Sequence, residues 1–321
     1  MSAIVSTQSQ QLRRVDIRRD LLPVADLIDL CFGSQMDQDG REYVQQIRRA
    51  AKDSRYLRWT PGAGEQVPLP LNGYVWEEGK RIVGNLTLIP NYYKGHWYYL
   101  IANVAVHPDF RRHGIARQLT ETALQHVRDH NAHAAWLHVR EDNLTAQELY
   151  RSLGMVERVR RTTWQSSSKI PPEAPPKEIA ITRRVKSHWR FQNKWLNAAY
   201  PQEIVWNMPL QPSRFDPGLW ASLLRLLHNE QIQHWSAIYQ NELAGIVTWE
   251  PSRHSADMLW LAANPKMEQK AIQALLTRLR QIFSMEHPFQ TNYAAGQAED
   301  AFFQAGFEKA NTLIWMEMKF R

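Results

Sequence analysis

The sequence has almost no cysteine and no long apolar run, and both absences exclude classes of protein. Of its 321 residues only Cys31 is a cysteine, so neither a disulfide within the chain nor a zinc site built on cysteines can form. No stretch reaches the roughly 18 consecutive apolar residues that a membrane-spanning helix requires. The N-terminal residues lack the basic-then-apolar order of a secretory signal. We therefore expect a cytoplasmic protein that does not insert into a membrane.

Acidic residues are outnumbered by basic ones. The chain has 39 Lys and Arg against 32 Asp and Glu, which gives a formal net charge of +7. This balance favours a polyanionic partner. A small ligand with a few phosphate groups meets that requirement, so nucleic acid is not needed and is disfavoured.

Residues 97–117, WYYLIANVAVHPDFRRHGIAR, carry the strongest functional signal in the chain. An apolar run predicts a strand, and the basic stretch after it contains Gly114, which can adopt a positive φ and let the main chain approach a ligand. The apolar residues then recur every four positions, as in an amphipathic helix: Ile115, Leu119, Ala123 and Val127. Because the first turn of a helix presents unpaired N–H groups and the positive end of its dipole, this pattern predicts a phosphate-binding turn.

The turn Arg111-Arg112-His113-Gly114-Ile115-Ala116 resembles the Arg/Gln-x-x-Gly-x-Gly/Ala loop of the GCN5-related N-acetyltransferase (GNAT) superfamily. The elements predicted over about residues 12–165 also follow the family order of strand, two helices, three antiparallel strands, helix, strand, helix and strand. The resemblance implies an α/β fold of the α+β type. Each domain is expected to hold a mixed, mostly antiparallel central sheet flanked by helices.

The second half of the chain repeats this order but has lost the chemistry of the turn. Aligning VHPDFRRHGIA with ANPKMEQKAIQ places Glu268 against Arg111 and Ala271 against Gly114. A carboxylate beside a pyrophosphate repels it, and a residue larger than glycine closes the backbone approach. The second copy is therefore predicted to be degenerate.

Composition places the domain boundary near a proline-rich stretch. Residues 166–177 contain SSSKIPPEAPPK, which favours extended, non-packing backbone. We predict an N-terminal, acetyl-CoA-binding and catalytic GNAT domain over 1–165, a Ser/Pro-rich linker over 166–177, and a C-terminal degenerate GNAT-like domain over 178–321. The assignment of residues 178–185 to the first or the second domain stays open.

The resemblance also implies which residues bind acetyl-CoA. The main chain of the strand end is expected to hydrogen-bond the pantetheine arm, and an amide there to polarise the thioester carbonyl. Asn143 is expected to cap a helix, to contact the coenzyme, or both. The coenzyme-binding residues implied in this way are Val104, Ala105, Val106, Arg111, Arg112, His113, Gly114, Ile115, Ala116 and Asn143.

Tyr150 occupies the position where many family members carry the tyrosine that protonates the leaving sulfur. An unperturbed tyrosine has a pKa of about 10 and is protonated at neutral pH; the alternative is an aromatic side chain that packs between helix and sheet. The base that takes the amine proton stays unassigned, because the strand from Trp97 to Val106 has no Asp or Glu. The candidates are Asp37, Asp39, Glu77 and His96. For Cys31 the apolar surroundings favour core packing over a reactive thiol.

Together these features predict an N-acetyltransferase that transfers acetyl from acetyl-CoA to an amine by direct attack. A small amine-bearing molecule is favoured as acceptor, and its identity and the oligomeric state stay open. No metal or redox cofactor is implied. The aromatic residues 92–99 are expected to form one wall of the acceptor site. Two alternatives remain: a non-catalytic acyl-CoA sensor or interaction protein, and a nucleic-acid-binding protein with the same fold.

Overall fold

In the computed structural model, two compact units make up the chain. The structure describes residues 11–53, 72–218, 231–252, 255–283 and 287–320. The first unit is Met1–Val159 together with Ile314–Arg321, and the second is Arg160–Leu313. None of the helices within these described ranges is both long and apolar enough to cross a membrane.

The first unit has a sheet with the strand order β1-β2-β3-β4-β5 followed by the end of β12. Strands β1 to β4 pair antiparallel, and β4 pairs with β5 in parallel. Its elements are β1 (Leu12–Arg14), α1 (Leu21–Phe32), α2 (Gln38–Lys52), β2 (Gly73–Glu78), β3 (Arg81–Tyr93), β4 (His96–Val106), α3 (Ile115–Asp129), β5 (Ala134–Arg140), α4 (Leu144–Ser152), the start of β6 (Val156–Ser166) and the end of β12 (Phe307–Lys319).

The second unit has the strand order β12-β6-β11-β10-β9-β8-β7, to which β12 contributes its first part. Its further elements are β7 (Ile179–Arg183), α5 (Trp189–Ala199), α6 (Gln202–Val205), β8 (Gln233–Tyr239), β9 (Glu242–Glu250), β10 (Asp257–Ala263), α7 (Glu268–Ile282), β11 (Phe289–Ala294) and α8 (Glu299–Gln304). The predicted α/β class with mostly antiparallel strands is thereby confirmed. The apolar pattern of residues 218–228 also predicts a helix, and this segment lies, except for its first residue, outside the described ranges.

The predicted amphipathic helix after the basic turn is confirmed as α3. Four apolar residues of α3 are at most 4% exposed and pack on the sheet, because a four-residue spacing places them on one face of the helix. They are Ile115, Leu119, Ala123 and Val127. Close packing also requires Gly84 on β3, where an added Cβ would lie 2.8 Å from Ile115 Cγ2. On β9 of the second unit, an added Cβ at Gly245 would lie 3.0 Å from Ala271 Cβ. The two units thus share a glycine that lets a helix approach the sheet.

The division into units differs from the predicted domain boundaries. The segment predicted as a linker forms backbone hydrogen bonds within the second unit, from Ser167 N to the Gly306 carbonyl at 3.1 Å and from Glu173 N to the Gln304 carbonyl at 2.7 Å. The open assignment of 178–185 is resolved by β7, which pairs with β8 in the second unit.

The last strand also departs from the predicted boundary of the second domain. Residues 314–321 belong to the first unit, and Ile314 and Met316 lie in its core. Composition gave no sign of this change, because β12 continues as one strand of 13 residues without a proline or glycine.

Arg280 on α7 secures the proline-rich segment to the second unit. Its guanidinium donates at 2.8–2.9 Å to the backbone carbonyls of Ser167, Ile170, Ala305 and Gly306. We expect Arg280→Ala to lower the free energy of unfolding by about 2–3 kcal/mol, since carbonyls bound to a charged donor lose their partner.

The measurement is urea unfolding followed by tryptophan fluorescence. Arg278→Ala is the matched control, because Arg278 lies on the same helix, is exposed and donates only a 3.4 Å bond to Gln281. Equal effects of the two substitutions would contradict the role assigned to Arg280.

Candidate active site

Strands β4 and β5 diverge at one end, and this divergence opens the first unit. Their parallel ladder covers the four pairs from Tyr98–Ala134 to Ile101–Leu137, although β4 continues to Val106. A β-bulge interrupts β4 in the same place, since its register with β3 shifts there and Asn103 has a φ of +51°. A bulge bends its strand and increases the local twist, which carries the end of β4 away from β5.

A cavity of about 960 Å³ lies at this opening. Its walls come from the end of α1, the end of β4, the basic turn with the start of α3, and one face of α4. Most of the predicted site residues line it: Val104, Ala105, Val106, Arg111, Arg112, Gly114, Ile115, Ala116, Asn143 and Tyr150. His113 is exposed and is not among the lining residues. The structure thus brings residues from three separate stretches of the chain to one cavity.

The basic turn adopts a conformation that leaves the start of α3 open. Arg112 and Gly114 have positive φ values of 68° and 78°, and Gly114 precedes the helix without a side-chain cap. A Cβ at Gly114 would have only the Gln118 amide nearby, at 3.9 Å, so the backbone conformation and not space requires glycine. The first N–H groups of α3 and the exposed Arg111 beside them suit an anionic group.

Cys31, at the end of α1, packs against the core as expected and also lies in the wall of the cavity. Its Sγ donates to the Val106 carbonyl at 3.4 Å, and Arg111 Nε donates to the same carbonyl at 3.3 Å. Burial raises the pKa of the thiol, and Arg111 opposes that rise. The sequence did not indicate this position, because no local pattern relates α1 to the end of β4.

Tyr150 is both a core residue and a cavity residue. It is 6% exposed, packs in the core of the first unit and lines the cavity. Burial raises the pKa of its hydroxyl to about 12, so the hydroxyl keeps its proton at neutral pH. Asn143 likewise combines two features, because its Oδ1 accepts from Ala146 N at 3.2 Å as an N-cap and its side chain lines the cavity.

None of the candidate bases lines the cavity. Glu77 is paired with Arg13 at 2.7 Å and with Arg19 at 3.2 Å, while Asp37 caps α2. Asp39 and His96 are also absent from the lining. The carboxylate that does line the cavity is Glu148, an exposed residue of α4 that sequence reasoning missed.

The aromatic residues 92–99 do not line the cavity either. They lie around the turn between β3 and β4, at the opposite end of β4 from Val104. At about 3.3 Å per residue, seven residues of strand separate Trp97 from Val104 by roughly 23 Å. These side chains therefore form no part of the wall of this cavity.

The corresponding region of the second unit is built differently. Helix α7 begins at Glu268, so residues that form an open turn in the first unit form a helical turn here. The Glu268 carboxylate accepts the hydroxyl of Tyr293 at 2.7 Å. Phe302, which aligns with Tyr150, is fully buried and stacks on Trp164 at 4.6 Å. In the second unit a carboxylate therefore stands at the position of Arg111, and a hydrocarbon ring stands at the position of the Tyr150 hydroxyl.

Comparison with known proteins agrees with this geometry. Residues 40–155 match the model of the acetyltransferase (GNAT) family. These residues belong to the GNAT family. The matched range includes the strand, the basic turn, Asn143 and Tyr150, and the predicted resemblance to this family is confirmed.

Two solved structures share the fold of this chain over nearly its whole length. A GCN5-related N-acetyltransferase from Sphaerobacter thermophilus has a TM-score of 0.60 and 14% identity, with 97% of this chain and 96% of that chain covered. A tandem GNAT protein from the clavulanic acid biosynthesis pathway has a TM-score of 0.51 and 16% identity, with 96% and 98% covered. At these identities the likeness concerns the fold alone.

Curated relatives match a shorter part of the chain. The [ribosomal protein bS18]-alanine N-acetyltransferase of Salmonella typhimurium is 36% identical over 67 residues, which is 21% of this chain and 45% of that protein. The Escherichia coli protein of the same name is 40% identical over 55 residues, 17% of this chain and 37% of that protein. The chain therefore spans less than half the length of these relatives.

Two matched substitutions distinguish a role of the turn in ligand binding from the general effect of backbone strain on stability. Gly114→Ala and Gly79→Ala both place an L-residue at positive φ with open space around it, and each is expected to cost about 1 kcal/mol of stability. Only Gly114→Ala should weaken the binding of coenzyme A, because Gly79 lies at the β2–β3 turn. Calorimetric titration with coenzyme A measures this; equal affinities of the two variants would exclude the turn as the binding element.

Proposed function

We propose that the first unit is an acetyl-CoA-dependent N-acetyltransferase that transfers acetyl to an amine by direct attack. The observation that carries the proposal is the single cavity that joins the open turn at α3, the diverging end of β4 and the buried Tyr150. Membership of residues 40–155 in the GNAT family supports it.

In this proposal two parts of the cavity wall hold two parts of the coenzyme. Arg111 and the first N–H groups of α3 bind the pyrophosphate, and the main chain of Val104–Val106 hydrogen-bonds the pantetheine arm as an added strand would. The coenzyme supplies an acetyl group activated as a thioester.

The chain contributes proton transfer and positioning to the reaction. The nitrogen of an unprotonated amine attacks the carbonyl carbon, so that a C–N bond forms and the C–S bond breaks. Tyr150 donates its proton to the leaving sulfur, and water takes the surplus proton of the amine. The raised pKa of Tyr150 keeps the donor protonated throughout the physiological range.

The acceptor is proposed to be a primary amine, and two classes need comparison. A small amine is one class, and the second is suggested by the relatives, whose names state that they acetylate an alanine of a ribosomal protein. The proposal is tested by release of free thiol from acetyl-CoA in the presence of small primary amines or a peptide with N-terminal alanine. Amine-dependent release with an acetylated product supports it. Binding of acetyl-CoA without amine-dependent release would favour an acyl-CoA sensor, and no binding would refute both.

Tyr150→Phe tests the proton donor. We expect kcat to fall about 100-fold, since a positioned general acid contributes at least that factor. Coenzyme affinity should stay close to that of the wild type, because Tyr150→Phe keeps the ring that packs in the core and removes only the hydroxyl used in the transfer step. Since the pKa of Tyr150 is about 12, the wild type should lose no activity through this group below about pH 10.

Tyr74→Phe is the matched control, because the Tyr74 hydroxyl lies 3.0 Å from Nδ1 of His126 and outside the cavity. Steady-state kinetics and coenzyme titration on both variants make the comparison. A normal kcat in Tyr150→Phe would remove this residue from the mechanism.

A further inference from the structure

Asn103 has a left-handed backbone conformation in the middle of β4. Its φ is +51°, where an L-residue is strained and asparagine is among the residues that tolerate it best. On β3, Asn85 faces Ala105 and Thr87 faces Ala102, so β4 has one residue more than β3 in this interval. Asn103 therefore forms the bulge, and the next residue, Val104, lines the cavity.

Three side chains hold Asn103 in this conformation. Its Nδ2 donates to the hydroxyl of Tyr43 on α2 at 3.0 Å and to Oγ1 of Thr87 at 3.3 Å. A primary amide has two N–H groups, and both are used. The Asn103 carbonyl accepts from Nδ2 of Asn85 at 3.0 Å. Asn85 and Thr87 are each 1% exposed, so these partners are fixed by the core.

The bond from Asn85 determines where the next amide points. The Asn103 carbonyl and the Val104 N–H belong to one peptide unit, which is planar and trans, so the two groups point in opposite directions. Since the Asn103 carbonyl points to the side-chain amide of Asn85, the Val104 N–H points to the opposite side of β4. It is free of the β4–β5 ladder, which has already ended at Ile101–Leu137.

We infer that Asn103, held by Asn85, Thr87 and Tyr43, is a positioning residue that directs the Val104 amide into the cavity, where it donates to the acetyl carbonyl. This inference rests on the proposed function. It assigns the orientation of a backbone donor to side chains on β3 and α2. A donor fixed before the reaction stabilises the negative charge that develops on the carbonyl oxygen without reorganisation.

The hydrogen bonds that join Asn103 to Tyr43, Thr87 and Asn85 are called the clamp here. Two substitutions each remove one bond of this clamp. Tyr43→Phe keeps the ring and removes the acceptor of the Asn103 amide, while Asn85→Leu removes the donor to the Asn103 carbonyl. Tyr74→Phe serves again as the control. The primary readout is the infrared stretching frequency of the carbonyl in bound [1-¹³C]acetyl-CoA, because a hydrogen bond to the carbonyl lowers that frequency. The second is the affinity ratio of acetyl-CoA to coenzyme A.

We expect the wild type to lower the carbonyl frequency relative to free acetyl-CoA and both clamp variants to return it toward the free value. The preference for acetyl-CoA over coenzyme A should shrink, the affinity for coenzyme A should stay unchanged, and kcat should fall about tenfold, within the range that a small misplacement costs. A role confined to folding would instead lower the melting temperature and leave frequency and ratio unchanged, which would overturn the inference. Tyr43→Phe alone decides the matter if Asn85→Leu does not fold.

The outcomes also separate this inference from the proposed function. A lowered carbonyl frequency that the clamp variants reverse, in a protein that acetylates no amine, refutes acetyl transfer and supports the positioning role. Amine acetylation with an unchanged frequency in the variants supports the transfer and refutes the positioning role. A wild type that binds no acetyl-CoA refutes both.

Discussion

The divergence of β4 from β5 is the constraint on which the candidate site depends. Parallel strands that stayed paired to their ends would bury the main chain of residues 104–106 in hydrogen bonds to a neighbour. Because the ladder stops at Ile101, that main chain faces a cavity, and the open turn at α3 lies at the same end of β4. One extra residue in β4 thereby makes backbone groups available to a ligand, and buried side chains on the neighbouring strand stabilise the irregularity.

Much of the fold follows from local patterns, whereas the site follows from them only in part. The four-residue spacing that begins at Ile115 identified α3, and Asn143 identified the start of α4, because both signals lie within one helix. The aromatic residues 92–99 suggested an acceptor wall, but strand length places them far from the cavity. The sequence did not predict that Cys31 and Glu148 line the cavity, because their positions there depend on packing between elements distant in the sequence.

The two units differ in the turn that precedes the helix packed on the sheet, α3 in the first unit and α7 in the second. Gly114 breaks the helical conformation before α3 and leaves its first N–H groups open. In the second unit α7 starts earlier along the aligned sequence, at Glu268, and the Glu268 side chain accepts a hydroxyl from its own unit. The same framework of strand and helix thus carries an open turn in the first unit and an internal hydrogen bond in the second.

The return of residues 314–320 to the first unit has a consequence for biosynthesis. Ile314 and Met316 complete the core that also contains Tyr150 and Leu119, yet they are made after every residue of the second unit. During translation the first unit emerges before the second and stays without its last strand until residues 160–313 have been synthesised. The unit that is synthesised first is therefore completed last, and the core around the candidate site is finished only after the whole second unit has been made.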